Sequence, residues 1–169
     1  MRDSASFDEF YRGTARRMLH YGYAVAGNHT EAQDLVQEAY ARAWRRWAVL
    51  STHPAPEAWM RLVVTRLAAD RWRRLRGLRA AMSRTGPPEA VRPPTEDTVL
   101  LVGALRRLPV AQRQALALHY LFDLPVEEIA REAQVPTGTV KSWLSRGRTR
   151  LAELLPGPIA DEMEADDVA

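Results

Sequence analysis

The sequence predicts an all-α chain made of two small helical domains joined by a flexible linker. Three observations carry that prediction. Apolar residues recur at helical spacing along nearly the whole chain, and no run alternates with the two-residue period of a half-buried strand. Breakers gather between residues 77 and 95, where Gly77, Gly86, Pro87, Pro88, Pro93 and Pro94 cannot share a helix. The 169 residues are 46% apolar, enough to bury a core on each side of that joint.

In the N-terminal half, residues 1–76, Phe7, Phe10, Tyr11, Thr14, Met18 and Val25 form one stripe of a first helix. Gly27-Asn28 stops it, and Thr30 with Gln33 has the pattern of a capping box opening a second helix. That helix buries Leu35, Val36, Ala39, Tyr40, Ala43 and Trp47, and it points Asp34, Gln37, Glu38 and Arg42 elsewhere. Ser51-Thr-His-Pro-Ala-Pro56 reads as a loop, with Pro56 suited to the first turn of a third helix. The third helix runs through Trp59, Leu62, Val63, Leu67 and Asp70 into Arg71-Trp-Arg-Arg-Leu-Arg76.

After the linker come helices predicted at Glu96–Leu108, from Pro109 to about Phe122, at Val126–Ala133 and at Thr137–Leu155. Residues 156–169 form an acidic tail with five carboxylates and no Lys or Arg, read as a solubilising segment or as a competitor with DNA for the basic helices. Without it the charge rises from +3 to +8, with 24 basic residues against 16 acidic. All the basic residues but Lys141 are Arg, whose planar fork suits phosphates and guanine edges.

Composition also excludes. No cysteine is present, so disulfides, thiolate zinc sites and cysteine nucleophiles are ruled out. His20, His29, His53 and His119 show no metal-ligand spacing, and no glycine loop is built to cradle phosphates. No metal, cofactor or catalytic residue is expected. Residues 1–8 lack the apolar run of a secretory signal and no stretch has the roughly 20 apolar residues of a membrane span, so a cytoplasmic location is expected.

Two segments point to nucleic acid. The first runs from Pro125 to Arg148 and reads as a helix-turn-helix. Ile129 and Ala130 suit the inner face of a short helix, Val135 plugs the core after the turn, and Val140 and Leu144 point inward from the next helix. Thr137, Thr139, Lys141, Ser142, Ser145, Arg146 and Arg148 remain on its other faces, the side-chain types that reach base edges and phosphates from a major groove. The second segment, residues 61–84, holds eight Arg and one acid, Asp70. Arg66, Arg71, Arg73 and Arg74 lie within it. Cations track a phosphate backbone and aromatic faces stack on unpaired bases. Ser51, Thr52 and His53 would form a polar pocket for an extruded base, while Trp59 reads as core.

These motifs, in this order, resemble a known family. Asp34-Leu-Val-Gln-Glu-Ala-Tyr-Ala-Arg-Ala-Trp44 resembles region 2 of bacterial sigma factors, and Glu57-Ala-Trp-Met-Arg with Leu67–Arg74 resembles the promoter-melting helix that follows. Leu108–Tyr120 and the helix-turn-helix resemble region 4. The layout of regions 2 and 4 alone is similar to that of the extracytoplasmic function (group IV) sigma factors, in an actinobacterial-type subgroup.

The resemblance implies that Asp34, Gln37, Glu38 and Arg42 dock on the β′ clamp helices of core RNA polymerase. Ser51, Thr52 and His53 would capture an unpaired −10 base, with Arg66, Asp70, Arg71, Arg73 and Arg74 along the melted strand. Thr139, Lys141, Ser142, Arg146 and Arg148 match −35-contacting positions, and Gly138 matches a glycine where DNA approaches closely. The helices of 108–122 would meet the β-flap, and an anti-sigma factor is an implied partner. The chain would then direct promoter recognition and melting and catalyse nothing. The alternative is a polymerase-independent helix-turn-helix regulator. Two departures stand out: Pro125 replaces a Ser or Thr cap, and Gln134 stands where the turn usually carries Gly.

Overall fold

A computed structural model describes residues 3–81 and 96–155. The expected linker, apart from its first five residues, and the acidic tail lie outside the described residues. Eight helices are formed among those described: α1 (Ser4–Ala26), α2 (His29–Arg45), α3 (Trp47–Leu50), α4 (Pro56–Ala81), α5 (Glu96–Arg106), α6 (Val110–Phe122), α7 (Val126–Ala133) and α8 (Thr137–Leu154). The chain divides into two compact units, Met1–Arg92 and Pro93–Ala169. No helix among the described residues is long and apolar enough to cross a membrane.

In the first unit α1, α2 and α4 pack on one another around Met18, Tyr21, Met60 and Val64, all almost fully buried. The α1–α2 approach is close because residue 22 has no side chain; a Cβ there would come within 2.9 Å of Val36 Cγ2. Hydroxyls tie the helices pairwise. Thr14 Oγ1 lies 2.7 Å from the Tyr40 hydroxyl, and the Tyr21 hydroxyl lies 2.8 Å from Thr65 Oγ1. Burial pushes the Tyr40 phenol up to about 12, so it stays neutral and keeps its proton for that contact. Phe7 stands among the rings of Tyr40, Trp44 and Trp47, at centroid distances of 6.4, 5.0 and 5.1 Å.

Three local readings are corrected. Gly27 ends α1 in the left-handed region (φ 79°), and the very next residue, Asn28, caps α2 by accepting the Glu31 N–H. The helix is therefore capped by Asn28, whose side chain exchanges two hydrogen bonds with Glu31, and not by a Thr30–Gln33 box. Trp47 is buried, but it belongs to the separate helical turn α3, and its indole N–H donates to Ser6 Oγ at 2.8 Å. Finally, α4 runs through Gly77 to Ala81, five residues past the expected end, since one glycine costs a helix only about 1 kcal/mol.

The second unit packs α6 against α8 and α7 against α8, with Ala115, Leu116, Ile129, Ala130, Val140, Leu144 and Leu151 buried. Gly147 is the point of closest approach, where an added Cβ would sit 2.8 Å from Leu116 Cδ1. Three helices in this unit begin after a proline that makes no side-chain cap: Pro109, Pro125 and Pro136. Pro136 thus precedes the last helix in extended conformation and does not form its first turn.

Candidate nucleic-acid interface

The turn between α7 and α8 sets the direction of α8. Gln134 takes the left-handed conformation (φ 57°, ψ 46°) that glycine adopts most readily. The Val135 N–H bonds the Ala130 carbonyl at 3.0 Å and the Gln134 N–H bonds that of Arg131 at 3.3 Å, closing a Schellman motif. The departure from glycine leaves the turn geometry intact and adds backbone strain of about 1 kcal/mol.

From that turn α8 buries Val140, Leu144, Gly147 and Leu151 and presents the rest. Thr137, Gly138, Lys141, Ser145 and Arg146 are exposed, while Thr139, Ser142 and Arg148 are half-buried. Lys141 and Arg146 enter no ion pair among the described residues. At Gly138 an added Cβ would meet nothing within 4 Å, so no packing inside the protein asks for glycine there. Free cations, hydroxyls and an open glycine on the face opposite the core match the surface expected of a major-groove helix.

In the first unit Ser51, Thr52 and His53 are exposed in the loop between α3 and α4. The loop is held from within: Thr52 Oγ1 donates to the Val49 carbonyl at 2.9 Å, and His53 Nδ1 accepts the Ala55 N–H at 3.0 Å. His53 therefore turns its Nε2–H outward, and Thr52 keeps its oxygen lone pairs to accept. Donor and acceptor stand side by side. Beyond the loop α4 buries Met60, Val64 and Ala68 along one face, which leaves Arg66, Arg71, Arg73 and Arg74 exposed. Arg66 and Arg74 make no ion pair among the described residues. Arg73 pairs with Asp70 one turn back. Arg71 is held by acids of α2, with its Nε 3.3 Å from Glu31 and its Nη1 3.6 Å from Asp34.

The α2 quartet is also exposed or half-exposed. Arg42 donates to Glu38 at 2.8 Å, a bond that, with the nearby arginine charges, holds the Glu38 carboxyl below the usual range. Asp34 and Gln37 remain open to solvent. Sequence reading missed two features of these units. Glu31 is the nearer partner of Arg71, and Asn-x-x-Glu at residues 28–31 was the signal that could have found it. Arg113 on α6 is half-buried with no hydrogen bond at Nε, and burial, helped by Arg106, lowers its pKa; nothing in the local sequence announces this.

The family model for Sigma-70 region 2 matches residues 10–77, and that for Sigma-70, region 4 matches residues 98–151. The RNA polymerase sigma-E factor of Streptomyces coelicolor is 29% identical over 98% of this chain and 93% of its own. The sigma-E factor of Streptomyces antibioticus is 31% identical over 88% of this chain and 84% of its own. The ECF RNA polymerase sigma factor SigM of Mycobacterium tuberculosis is 31% identical over 90% and 79%. Among solved structures, the sigma factor RpoE of Bartonella quintana, crystallised with the anti-sigma factor NepR, shares the fold. Its TM-score is 0.69 at 24% identity, covering 86% of this chain and 96% of that one. Two matched regions in the right order, together with relatives aligned over most of their length, lead to one conclusion: the chain belongs to the sigma-70 family, in its extracytoplasmic function branch of RNA polymerase sigma factors.

Proposed function

We propose that this sigma factor divides its work between the two units. Residues 1–76 dock on core RNA polymerase, recognise the −10 element and hold the melted strand. Residues 96–155 read the −35 element. The observation that carries the proposal is α8, which buries one apolar face and turns Lys141, Arg146 and a row of hydroxyls outward, with no acid among the described residues paired to either cation.

Asp34, Gln37, Glu38 and Arg42 form the surface for the β′ clamp helices, and the α6 region meets the β-flap. Thr52 and His53 hold an extruded base between an acceptor and a donor while Arg66 and Arg74 take phosphates. Melting uses binding energy, because bases are captured as they leave the stack; the protein itself catalyses no reaction. An anti-sigma factor, the kind of partner with which the Bartonella relative was crystallised, is a further partner of this chain. The work is cytoplasmic, where core polymerase and promoters meet.

Transcription from a promoter library with purified core polymerase, with start sites mapped, tests the proposal. The expected result is a stable complex with core and a new set of start sites sharing two spaced elements. A chain that binds duplex DNA as a dimer, ignores core and leaves start sites unchanged overturns it in favour of a polymerase-independent regulator. Each DNA-reading surface is small against the roughly 1,000 Å² of protein surface that specific recognition usually needs. Free-chain binding is therefore weak and salt-sensitive, and tightens within the holoenzyme.

A further inference from the structure

The seam between α2 and α4 joins two surfaces that the proposed function keeps apart. Arg71 of α4 lies in the strand-holding run, yet both its neighbours across the seam are carboxylates of α2. The two are not equivalent. Glu31 is fixed: its Oε2 accepts from Asn28 Nδ2 at 2.8 Å, its Oε1 faces Arg71 Nε at 3.3 Å, and its side chain is only 17% exposed. Asp34 is loose. Its Oδ2 stands 3.6 Å from Arg71 Nη1, beyond hydrogen-bond length, and its side chain is 55% exposed. Asp34 is also one of the four residues assigned to polymerase docking.

Resting on that assignment, we propose that the Asp34–Arg71 pair is a releasable contact coupling polymerase docking to strand binding. In the free chain Asp34 occupies part of the Arg71 guanidinium. When a docking partner engages Asp34, Nη1 of Arg71 is released toward a DNA phosphate, and Glu31 keeps the guanidinium oriented through Nε. Glu31 is thus a positioning residue, held in turn by Asn28. Linkage makes the effect reciprocal, so a strand bound to Arg71 strengthens docking through Asp34 by the same factor. An exposed ion pair is weak, so the coupling amounts to roughly two- to fivefold.

The test uses the full chain and a fluorescein-labelled 20-nucleotide single strand at low salt, read by anisotropy. Asp34→Asn should tighten strand binding about two- to fivefold. Glu9→Gln, which removes the same charge from the exposed surface of α1, should change it by less than about 1.5-fold. In an Arg71→Gln background Asp34→Asn should have no effect. A gain no larger than that of Glu9→Gln, or one that persists without Arg71, overturns the proposal. In the second arm, affinity for core polymerase is measured with and without the strand. The wild type should gain two- to fivefold and Arg71→Gln nothing; equal gains overturn the coupling. Failure of every variant to bind core overturns the docking assignment and the coupling with it, while the free-chain arm still reports whether Asp34 restrains Arg71. Circular dichroism on each variant shows that the helices remain.

Discussion

The helices α4 and α8 each expose cations on the side away from a packed apolar face, but they hold those cations differently. On α4 two of the exposed arginines are answered by carboxylates, Arg73 by Asp70 and Arg71 by Glu31 and Asp34. On α8 Lys141 and Arg146 have no acidic partner among the described residues, while Arg150 pairs with Glu153 toward the far end of the helix. A helix that reads a duplex meets a rigid surface already in place, and free side chains need only be positioned. A helix that holds a strand meets its ligand only after bases have unpaired. On the proposed division of work, Asp70 and Asp34 would have to yield before Arg73 and Arg71 take a phosphate, which would keep α4 from gripping the wrong DNA.

The largest expected effect tests how α8 is positioned. Gly147→Val drives methyl groups into Leu116 and should destabilise the second unit by about 2–3 kcal/mol. Amide exchange should quicken in α6 and α8 and stay unchanged in α1 to α4; equal loss in both units would break the picture of two separately built supports. Gln134→Gly should relieve the left-handed strain and stabilise the second unit by about 1 kcal/mol in denaturant unfolding. No gain there means that the Gln134 side chain compensates for its own backbone.

Gly138→Ala separates helix stability from DNA contact. With open space around it, alanine should stabilise α8 by about 0.5–1 kcal/mol. Binding to −35 duplex within the holoenzyme should nevertheless weaken, and a variant both more stable and equally active would remove Gly138 from the interface. The smallest effect falls on the first unit. Burial, and then the Arg16 charge, lowers the His20 pKa from 6.5, so the folded state takes up that proton less readily than the unfolded chain. The stability this contributes is complete above about pH 6.5 and is lost as pH falls through the lower folded value. Unfolding of wild type and His20→Asn between pH 7.5 and 5 should show the steeper loss in the wild type; parallel curves would refute it.

Much of this architecture was legible in the residues because its signals are local. The boundaries of α7 and of α8 to within a residue follow from one apolar stripe, a short turn and prolines that forbid helix before them. The exposed face of α8 follows from the same stripe. The start of α2 was misread because Asn28-x-x-Glu31 and Thr30-x-x-Gln33 both satisfy the capping pattern. What decides between them is that Gly27 closes α1 at once, leaving no room for two more linking residues. The Arg71 contacts were out of reach for a different reason. Arg71 lies 40 and 37 residues from Glu31 and Asp34, and their meeting depends on how α2 and α4 pack on each other. A run of arginines reads as free charge until tertiary structure supplies its acids.

The prolines before α6, α7 and α8 have a consequence that lies outside the folded state. None offers a side-chain oxygen to the helix start, so each leaves an amide that a serine would have satisfied, at about 1 kcal/mol. Yet each has φ near −60°, the value its ring imposes, so folding restricts these positions very little. The compensation comes from the denatured ensemble, which has fewer conformations to lose at three points, each contributing roughly 0.4–1 kcal/mol. Replacing all three with serine would therefore exchange one form of stabilisation for another. The second unit would keep much of its stability, but its chain would start the search for the fold from a wider set of shapes.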